Sequence, residues 1–247
     1  MKIGVAQIRL SDSIAKNRDH ILKYAGNAMS EGVEILNFPE TALSGYIFDA
    51  FPTVNFDEVS GALSEIQEAL SGSSLHLIIG TPYREARNVF NSAVVLFPDG
   101  MRQVYHKTHL VPYEQRYFKE GGKPLVFEVN GHRFGVIVCR DQNFPLLAEA
   151  LARDGARGLF ILSAHYYNLD ESRLKLEKNR ALPIARAYEN GIFVFKSNAV
   201  GTSKRMISLG KSLIVDSRGI VVQEAGETEE TLLVYDIDFD KKNPSWS

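Results

Sequence analysis

The stretch Phe134-Gly-Val-Ile-Val-Cys139-Arg-Asp-Gln-Asn-Phe-Pro145 decides how this chain is read. Its apolar, β-branched run spells a buried strand, and the last residue of that strand is the only cysteine in 247 residues. A break follows, and a helical pattern then runs from Leu146 to about Arg153. A thiol at the carboxyl end of a strand sits where ligands gather in α/β sheets. Taken alone, a strand-end cysteine is more often inert and buried. The reading of Cys139 therefore turns on what the rest of the chain places beside it.

Working outward, Lys2 to Ile8 reads as a strand. Ser11-Asp-Ser13 supplies N-cap chemistry for a helix in which Ile14, Ile21, Leu22, Ala25, Ala28 and Met29 recur at helical spacing. Glu31-Gly32 stops that helix, Val33 to Phe38 forms the next strand, and Pro39 ends it by removing a ladder donor. A loop then runs to about Asp57. Val59, Leu63, Ile66 and Leu70 mark a second amphipathic helix, and Leu75 to Gly80 a third strand. Val89 to Phe97 and Met101 to His106 form a hairpin around Pro98-Asp-Gly100. The segment Lys107 to Lys123 is too charged and irregular for a strand. Lys123 to Val129 and His132 to Val138 pair around Asn130-Gly131, a type I′ turn signal.

Beyond Cys139, Gly158 to Leu162 is a strand, and Glu171 to Asn190 a long helix closed by Gly191. Pro183 is expected to kink or interrupt it. Ile192 to Ser197, Lys211 to Val215, Ile220 to Gln223 and Thr231 to Asp236 are the last strands. A polar tail from Asp238 to Ser247 holds the only tryptophan, Trp246. Alternating strands and helices mixed with hairpins call for an α/β fold with both parallel and antiparallel pairing. With no linker, low-complexity tract or fixed-period repeat, residues 1–247 read as a single domain.

The apolar fraction of 45% and charged fraction of 23% are those of a globular protein. A net charge of -2, with no basic run, argues against a nucleic-acid partner. One cysteine allows no internal disulfide, which suits a reducing cytoplasm. The amino terminus lacks the pattern of a signal peptide, and no apolar run approaches the roughly 18 residues of a membrane span.

Three segments share one arrangement, a strand followed by a chemically active side chain: Phe38-Pro-Glu40, Tyr105-His-Lys107 and Val138-Cys139. If the three strand ends converge, the carboxylate takes the thiol proton, the thiolate attacks a carbonyl carbon, and the ammonium stabilises the resulting oxyanion. A metal site built on His106, His109 and Glu114 lacks a supporting ligand pattern. No Gly-x-Ser-x-Gly elbow, P-loop or dinucleotide fingerprint is present.

Asn37-Phe-Pro-Glu-Thr-Ala-Leu-Ser-Gly-Tyr46 resembles the first signature of the nitrilase, or carbon–nitrogen hydrolase, superfamily. Tyr105-His-Lys-Thr-His-Leu-Val-Pro112 resembles its lysine segment, and Gly135 to Pro145 its cysteine segment. Ala185-Arg-Ala-Tyr-Glu-Asn190, with Phe193 and Asn198, and Gly210-Lys-Ser-Leu-Ile-Val-Asp216 are similar to later signatures. Five such words in family order span about residues 2 to 237.

The resemblance implies an αββα four-layer sandwich and a Glu-Lys-Cys triad. In it, Glu40 is the general base and acid, Lys107 the oxyanion stabiliser and Cys139 the nucleophile. Glu114 matches a second glutamate that positions Lys107 or the substrate, and the Arg140 backbone N–H completes the oxyanion hole. It also implies no metal or organic cofactor, a small-molecule amide substrate, and homodimers or larger assemblies built on the helices after Cys139 and before Gly191. Departures from the pattern fall at Arg140 and at Ser163-Ala-His-Tyr-Tyr167. Substrate contacts are accordingly sought at Arg140, Tyr113 and His165. The Arg140 fork suits a substrate carboxylate or a pairing with Asp141.

Glu114-Gln-Arg-Tyr-Phe118 is also similar to the glutaminase domain of glutamine-dependent NAD synthetase, with no nucleotide-binding loop following. The expected reaction is cleavage of a small linear carboxamide through a thioester. N-carbamoyl or ureido hydrolysis, nitrile hydrolysis and a silent binding scaffold are the alternatives.

Overall fold

The computed structural model describes residues 1–46 and 53–239. Residues 47–52 of the loop before the second helix, and the tail from residue 240 with Trp246, lie outside the described residues. The amino-terminal half supplies β1 (Lys2–Gln7), α1 (Ile14–Ser30), β2 (Ile35–Asn37), α2 (Phe56–Ala69), β3 (His76–Glu85), β4 (Asn88–Leu96) and β5 (Arg102–His106). There follow β6 (Leu125–Val129), β7 (His132–Val138), α3 (Pro145–Arg153), β8 (Gly158–Ser163), α4 (Leu169–Asn190) and β9 (Phe193–Asn198). Last come β10 (Val200–Ser203), β11 (Met206–Leu209), β12 (Leu213–Val215), β13 (Val221–Glu224) and β14 (Thr231–Asp236).

Two six-stranded sheets result, ordered β14-β1-β2-β3-β4-β5 and β13-β12-β9-β8-β7-β6, with β10-β11 a separate ribbon. Ile3, Val5, Ile35, Ile78 and Val95 of the first sheet meet Phe134, Val136, Phe160, Phe195 and Ile214 of the second in one core. Residues of alternate parity point outward: Leu36, Leu77 and Ile79 pack under α1 and α2, and Ile137, Leu159, Ile161 and Val194 under α3 and α4. Period-two alternation with both faces apolar thus stacks the layers helix, sheet, sheet, helix, the expected αββα sandwich. Each fully buried Ile or Phe contributes about 1.5–3 kcal/mol. Side-chain oxygens of Ser13, Asn55 and Asn168 cap α1, α2 and α4, each worth about 1 kcal/mol.

No repeat is visible in the sequence, yet the topology contains one. Read from β14, the first sheet pairs antiparallel, parallel, parallel, antiparallel, antiparallel, and the second, read from β6, does the same. Thus β1-α1-β2-α2-β3 corresponds to β7-α3-β8-α4-β9.

Two expectations need correcting. Cys139 does not end β7; the strand stops at Val138, and Cys139 begins a 3-10 turn through Asn143. Its φ of 47° is incompatible with a strand. Nor does Pro183 interrupt α4, which runs unbroken from Leu169 to Asn190. Proline has no N–H to give the carbonyl four residues back, here that of Asn179. The ammonium of buried Lys196, on neighbouring β9, donates to that oxygen at 2.8 Å instead. The freed carbonyl is satisfied across the layer. The β10-β11 ribbon and the continuation of β3 to Glu85, pairing with β4, lay outside the sequence expectations.

Candidate active site

Glu40 follows β2 and Pro39 in a turn held against β3, where Phe38 N donates to Ile78 O (2.9 Å) and Leu43 N to Gly80 O (3.1 Å). Gly80 permits this approach. A Cβ there would lie 2.3 Å from Pro39 O and 2.6 Å from the Glu40 Cα, so only glycine lets β3 support the turn. Asn37 Nδ2, donating to Phe195 O at 3.1 Å, ties β2 to the second sheet just below.

Lys107 follows β5, and its N donates to Asn91 O of β4 at 2.8 Å. Its ammonium donates to Glu40 Oε1 (2.7 Å) and Glu114 Oε1 (2.9 Å). Asn91 Nδ2 bridges the same two oxygens at 2.8 and 2.9 Å. Glu114 opens a 3-10 turn, Glu114–Arg116, and its Oε2 accepts from Val111 N at 2.9 Å. All four side chains are buried, at 0–1% exposure for Glu40, Asn91, Lys107 and Glu114. Glu40 Oε2 accepts no hydrogen bond from any described residue.

Cys139 sits on a strand-to-turn corner in the left-handed region, a conformation that costs a non-glycine residue about 1–3 kcal/mol and needs outside support. Asp141 supplies it. This buried carboxylate accepts from Val138 N (3.1 Å) and Tyr105 Oη (2.8 Å) through Oδ2, and from His109 N (2.8 Å) through Oδ1, with His109 Nδ1 at 3.0 Å. One side chain therefore fixes the cysteine turn to the residues flanking Lys107. The Arg140 N–H, second in the turn, is among the donors that a helical start leaves without an internal partner.

Burial and the neighbouring Glu40 push the Cys139 thiol well above its ordinary pKa, while Lys107 opposes them. Burial also raises the Glu40 carboxyl, Lys107 lowers it, and the second carboxylate, Glu114, raises it again. For Lys107 burial disfavours the ammonium, but Glu40 and Glu114 outweigh it and hold the group charged well above the usual lysine range. A protonated thiol beside a carboxylate with one free oxygen, and a permanent ammonium within reach of both, can pass a proton and hold a developing anion.

The Carbon-nitrogen hydrolase family model matches residues 2–242. The chain belongs to the carbon–nitrogen hydrolase family. It is similar to a nitrilase of Pyrococcus abyssi, 30% identical over 96% of this chain and 90% of that one. It superposes with a TM-score of 0.86 on a mutant amidase from Nesterenkonia sp. AN1, at 26% identity over 96% of this chain and 93% of that one. That structure shows the result of Michael addition of acrylamide at the active site cysteine. A glutamine-dependent NAD(+) synthetase of Aquifex aeolicus is 28% identical over 96% of this chain, which covers 42% of the synthetase.

Near this carbon–nitrogen hydrolase site the structure places the residues at which substrate contacts were sought, together with Tyr46. The hydroxyls of Tyr113 and Tyr46 contact one another, and Tyr46 stacks on Tyr166 with ring centroids 5.3 Å apart. Burial and Glu114 raise the Tyr113 phenol, and burial, Tyr113 and Glu40 raise that of Tyr46, so both remain hydroxyl donors. His165 is buried, its N donating to Asn198 Oδ1 at 3.0 Å and its Nε2 lying 3.3 Å from Gln142 Nε2. Burial and the surrounding lysines keep its ring neutral. Arg140 is partly exposed and does not pair with Asp141, whose two oxygens are already taken. His106 and His109 do not share a site with Glu114: His106 Nδ1 meets Ser92 Oγ at 2.8 Å, and His109 turns to Asp141.

The sequence reading missed Asn91, Asp141, Gly80 and Tyr46. Asp141 and Tyr46 lay inside the quoted signatures, and only their partners reveal their work. Asn91 carried a faint signal, a polar residue between Phe90 and the apolar run Ala93-Val-Val-Leu96 of a strand that otherwise reads as core.

Proposed function

We propose that the protein hydrolyses the carbon–nitrogen bond of a small linear carboxamide, with Cys139 as nucleophile, Glu40 as general base and acid, Lys107 as oxyanion stabiliser and Glu114 as its positioning partner. The observation that carries this reading is a single ammonium clasped by two buried carboxylates beside the chain's only thiol, with Glu40 Oε2 unengaged. The Cys139 proton passes to Glu40 as sulfur bonds to the amide carbon, and the carbonyl electron pair moves onto oxygen against Lys107 and the Arg140 N–H. Collapse of this intermediate breaks the C–N bond, Glu40 returns its proton to nitrogen, and ammonia leaves a thioester. Glu40 then takes a proton from water, hydroxide adds to the thioester, and collapse releases the acid while the proton returns to sulfur. The charge on Lys107 is fixed throughout, so this account needs no cofactor. Tyr46, Tyr113 and His165, on the walls of the site, are the expected substrate contacts.

Similarity to both a nitrilase and amidases supports this reaction class without selecting among amides, carbamoyl compounds and nitriles. Exposed Leu146 on α3 and exposed Leu174 and Tyr188 on α4 favour self-association through these helices. Among the described residues, no helix is long and apolar enough to cross a membrane. The test is ammonia release across carboxamides, carbamoyl compounds and nitriles, with mass spectrometry of protein quenched during turnover. The expected results are an acyl adduct on Cys139 and, in Cys139→Ala, retention of fold with loss of turnover. Turnover surviving in Cys139→Ala would falsify the assignment.

A further inference from the structure

Lys196 of β9 is buried beneath α4 at 1% exposure and forms no ion pair with any described residue. An ammonium carries three N–H groups, and the Asn179 carbonyl takes one of them at 2.8 Å. A buried charge short of hydrogen bonds is costly, so the other two call for acceptors. Two more incomplete groups stand at the same spot. A cavity of about 10 Å³, the volume of one water, is lined by Lys196, His165 and Asn179, with Asn198 beside them. His165 Nδ1 and Asn179 Oδ1 are buried and have no hydrogen-bond partner among the described residues. Asn198 cannot serve them, because its Oδ1 accepts from His165 N at 3.0 Å and its Nδ2 donates to Gly210 O at 2.6 Å.

One molecule meets all three needs. A water accepts from Lys196 Nζ, donates to Asn179 Oδ1, and meets His165 Nδ1 as either donor or acceptor, so it completes the neutral ring in both tautomers. An anion would suit the ammonium but would face the Asn179 oxygen. The consequence reaches the nucleophile. The other ring nitrogen, His165 Nε2, lies 3.3 Å from Gln142 Nε2, and Gln142 is the fourth residue of the turn that Cys139 begins. Arg186 Nε holds the Gln142 carbonyl at 3.0 Å. With Gln142 Oε1 unpartnered, the His165 ring is what orients the Gln142 side chain.

We propose that a single ordered water links Lys196 and Asn179 to His165, and that this chain, through the His165–Gln142 contact, holds the far end of the cysteine turn. Lys196, Asn179 and His165 are then positioning residues for Cys139, a role that adds to the substrate contact expected of His165. The inference rests on the hydrolase reading for its effect on turnover. Asp141 fixes the start of the turn through Val138 N at 3.1 Å. The left-handed corner at Cys139 stores about 1–3 kcal/mol and persists only when its surroundings over-determine it. A turn held at one end alone can relax, carrying the thiol away from Glu40.

The site itself is read in a crystal structure of the wild-type protein. One water within hydrogen-bond distance of Lys196 Nζ, Asn179 Oδ1 and His165 Nδ1 is expected; a dry cavity, an anion there, or direct closure of Lys196 on His165 overturns it. The role is read with two substitutions that leave the bond from Lys196 to the Asn179 carbonyl in place. Asn179→Leu fills the cavity with a side chain of similar size and no acceptor, whereas Asn179→Asp keeps both shape and acceptor. In Asn179→Leu, kcat on a carboxamide should fall about five- to tenfold with KM unchanged, the scale of one lost hydrogen bond. Alkylation of Cys139 by iodoacetamide, followed by intact mass, should slow by the same factor, and Asn179→Asp should keep both rates near wild type. Wild-type rates in Asn179→Leu, or an equal loss in Asn179→Asp, overturn the positioning chain. Should Asn179→Leu not fold, Lys196→Met in a Pro183→Ala background, where the new N–H serves the Asn179 carbonyl, carries the same expectation. Alkylation needs no substrate, so a slower alkylation with no amide hydrolysed upholds the chain and overturns the hydrolase reading.

Discussion

Glu114 sets the basicity of Glu40, and replacing it with glutamine exposes that coupling. Both carboxylates contact the same ammonium and the same Asn91 amide, at 2.7–2.9 Å. Their charges therefore stand about 5 Å apart, and at an effective dielectric of about 20 they repel by roughly 3 kcal/mol. That corresponds to about 2 pH units on Glu40, of which relaxation of the site leaves about one. The sign follows from the direction of the coupling. Burial and Glu114 raise the Glu40 pKa, so deleting the Glu114 charge lowers it. The acid limb of kcat/KM, where Glu40 loses its proton to become the base, should move by about one unit to lower pH.

The substitution has a second cost. A glutamine that keeps its oxygen toward Lys107 and Asn91 turns its amide nitrogen toward Val111 N, which loses its acceptor. Stability should fall by about 1–3 kcal/mol, read from denaturant unfolding at neutral pH. The pH profile is measured on a carboxamide and, independently, on Cys139 alkylation by iodoacetamide. An acid limb that stays in place, or moves to higher pH, in both assays would refute the coupling.

Gly80→Ala places a methyl group 2.3 Å from Pro39 O and must push the Glu40 turn off β3. Turnover should fall by about 100-fold, as expected for a displacement of roughly an ångström at a catalytic group, with the far-UV circular dichroism unchanged; wild-type kcat would show that the turn is not held by this contact. Pro183 and Lys196 should be coupled through the Asn179 carbonyl. Lys196→Met should cost about 1–3 kcal/mol in the native background and clearly less in Pro183→Ala, whose new N–H can take over the carbonyl. Strict additivity of the two substitutions would contradict that exchange.

What was legible in the sequence is what local chemistry decides. The helical spacing of Ile14 to Met29 gave α1 within a residue at each end, and Asn130-Gly131 placed the β6-β7 turn. Glu40, Lys107 and Cys139 stood out because each follows an apolar strand and falls in a segment that resembles a family signature; β2 and β7, each paired in parallel with a neighbour in its own sheet, lead into two of them. What was hidden depends on contacts far apart in the chain. The bridging role of Asn91 exists only when β4 lies beside the Glu40 and Glu114 turns. Pro183 looked like a helix breaker because the donor that rescues its carbonyl sits thirteen residues further on in a strand. The Cys139 corner read as strand because no local residue forbade it, and the force that bends it comes from Asp141 reaching back to Val138 N.

These contacts explain why the proposed nucleophile is not a resting thiolate. Two carboxylates share one ammonium, so the cluster already carries an excess negative charge in a buried site. Ionising Cys139 would add a second, which is why burial and Glu40 push the thiol up instead of lowering it as a lone lysine would. In the proposed mechanism the thiol gives its proton to Glu40, whose own raised pKa suits it to receive one. The transfer keeps the charge of the cluster constant up to the moment the substrate carbonyl takes the electron pair. Both carboxylates hold Lys107 charged, so in that mechanism it acts as a fixed electrostatic partner and not as an acid. In the proposed reaction, a thiol kept protonated until a carbonyl arrives is one consequence of two carboxylates surrounding a single ammonium.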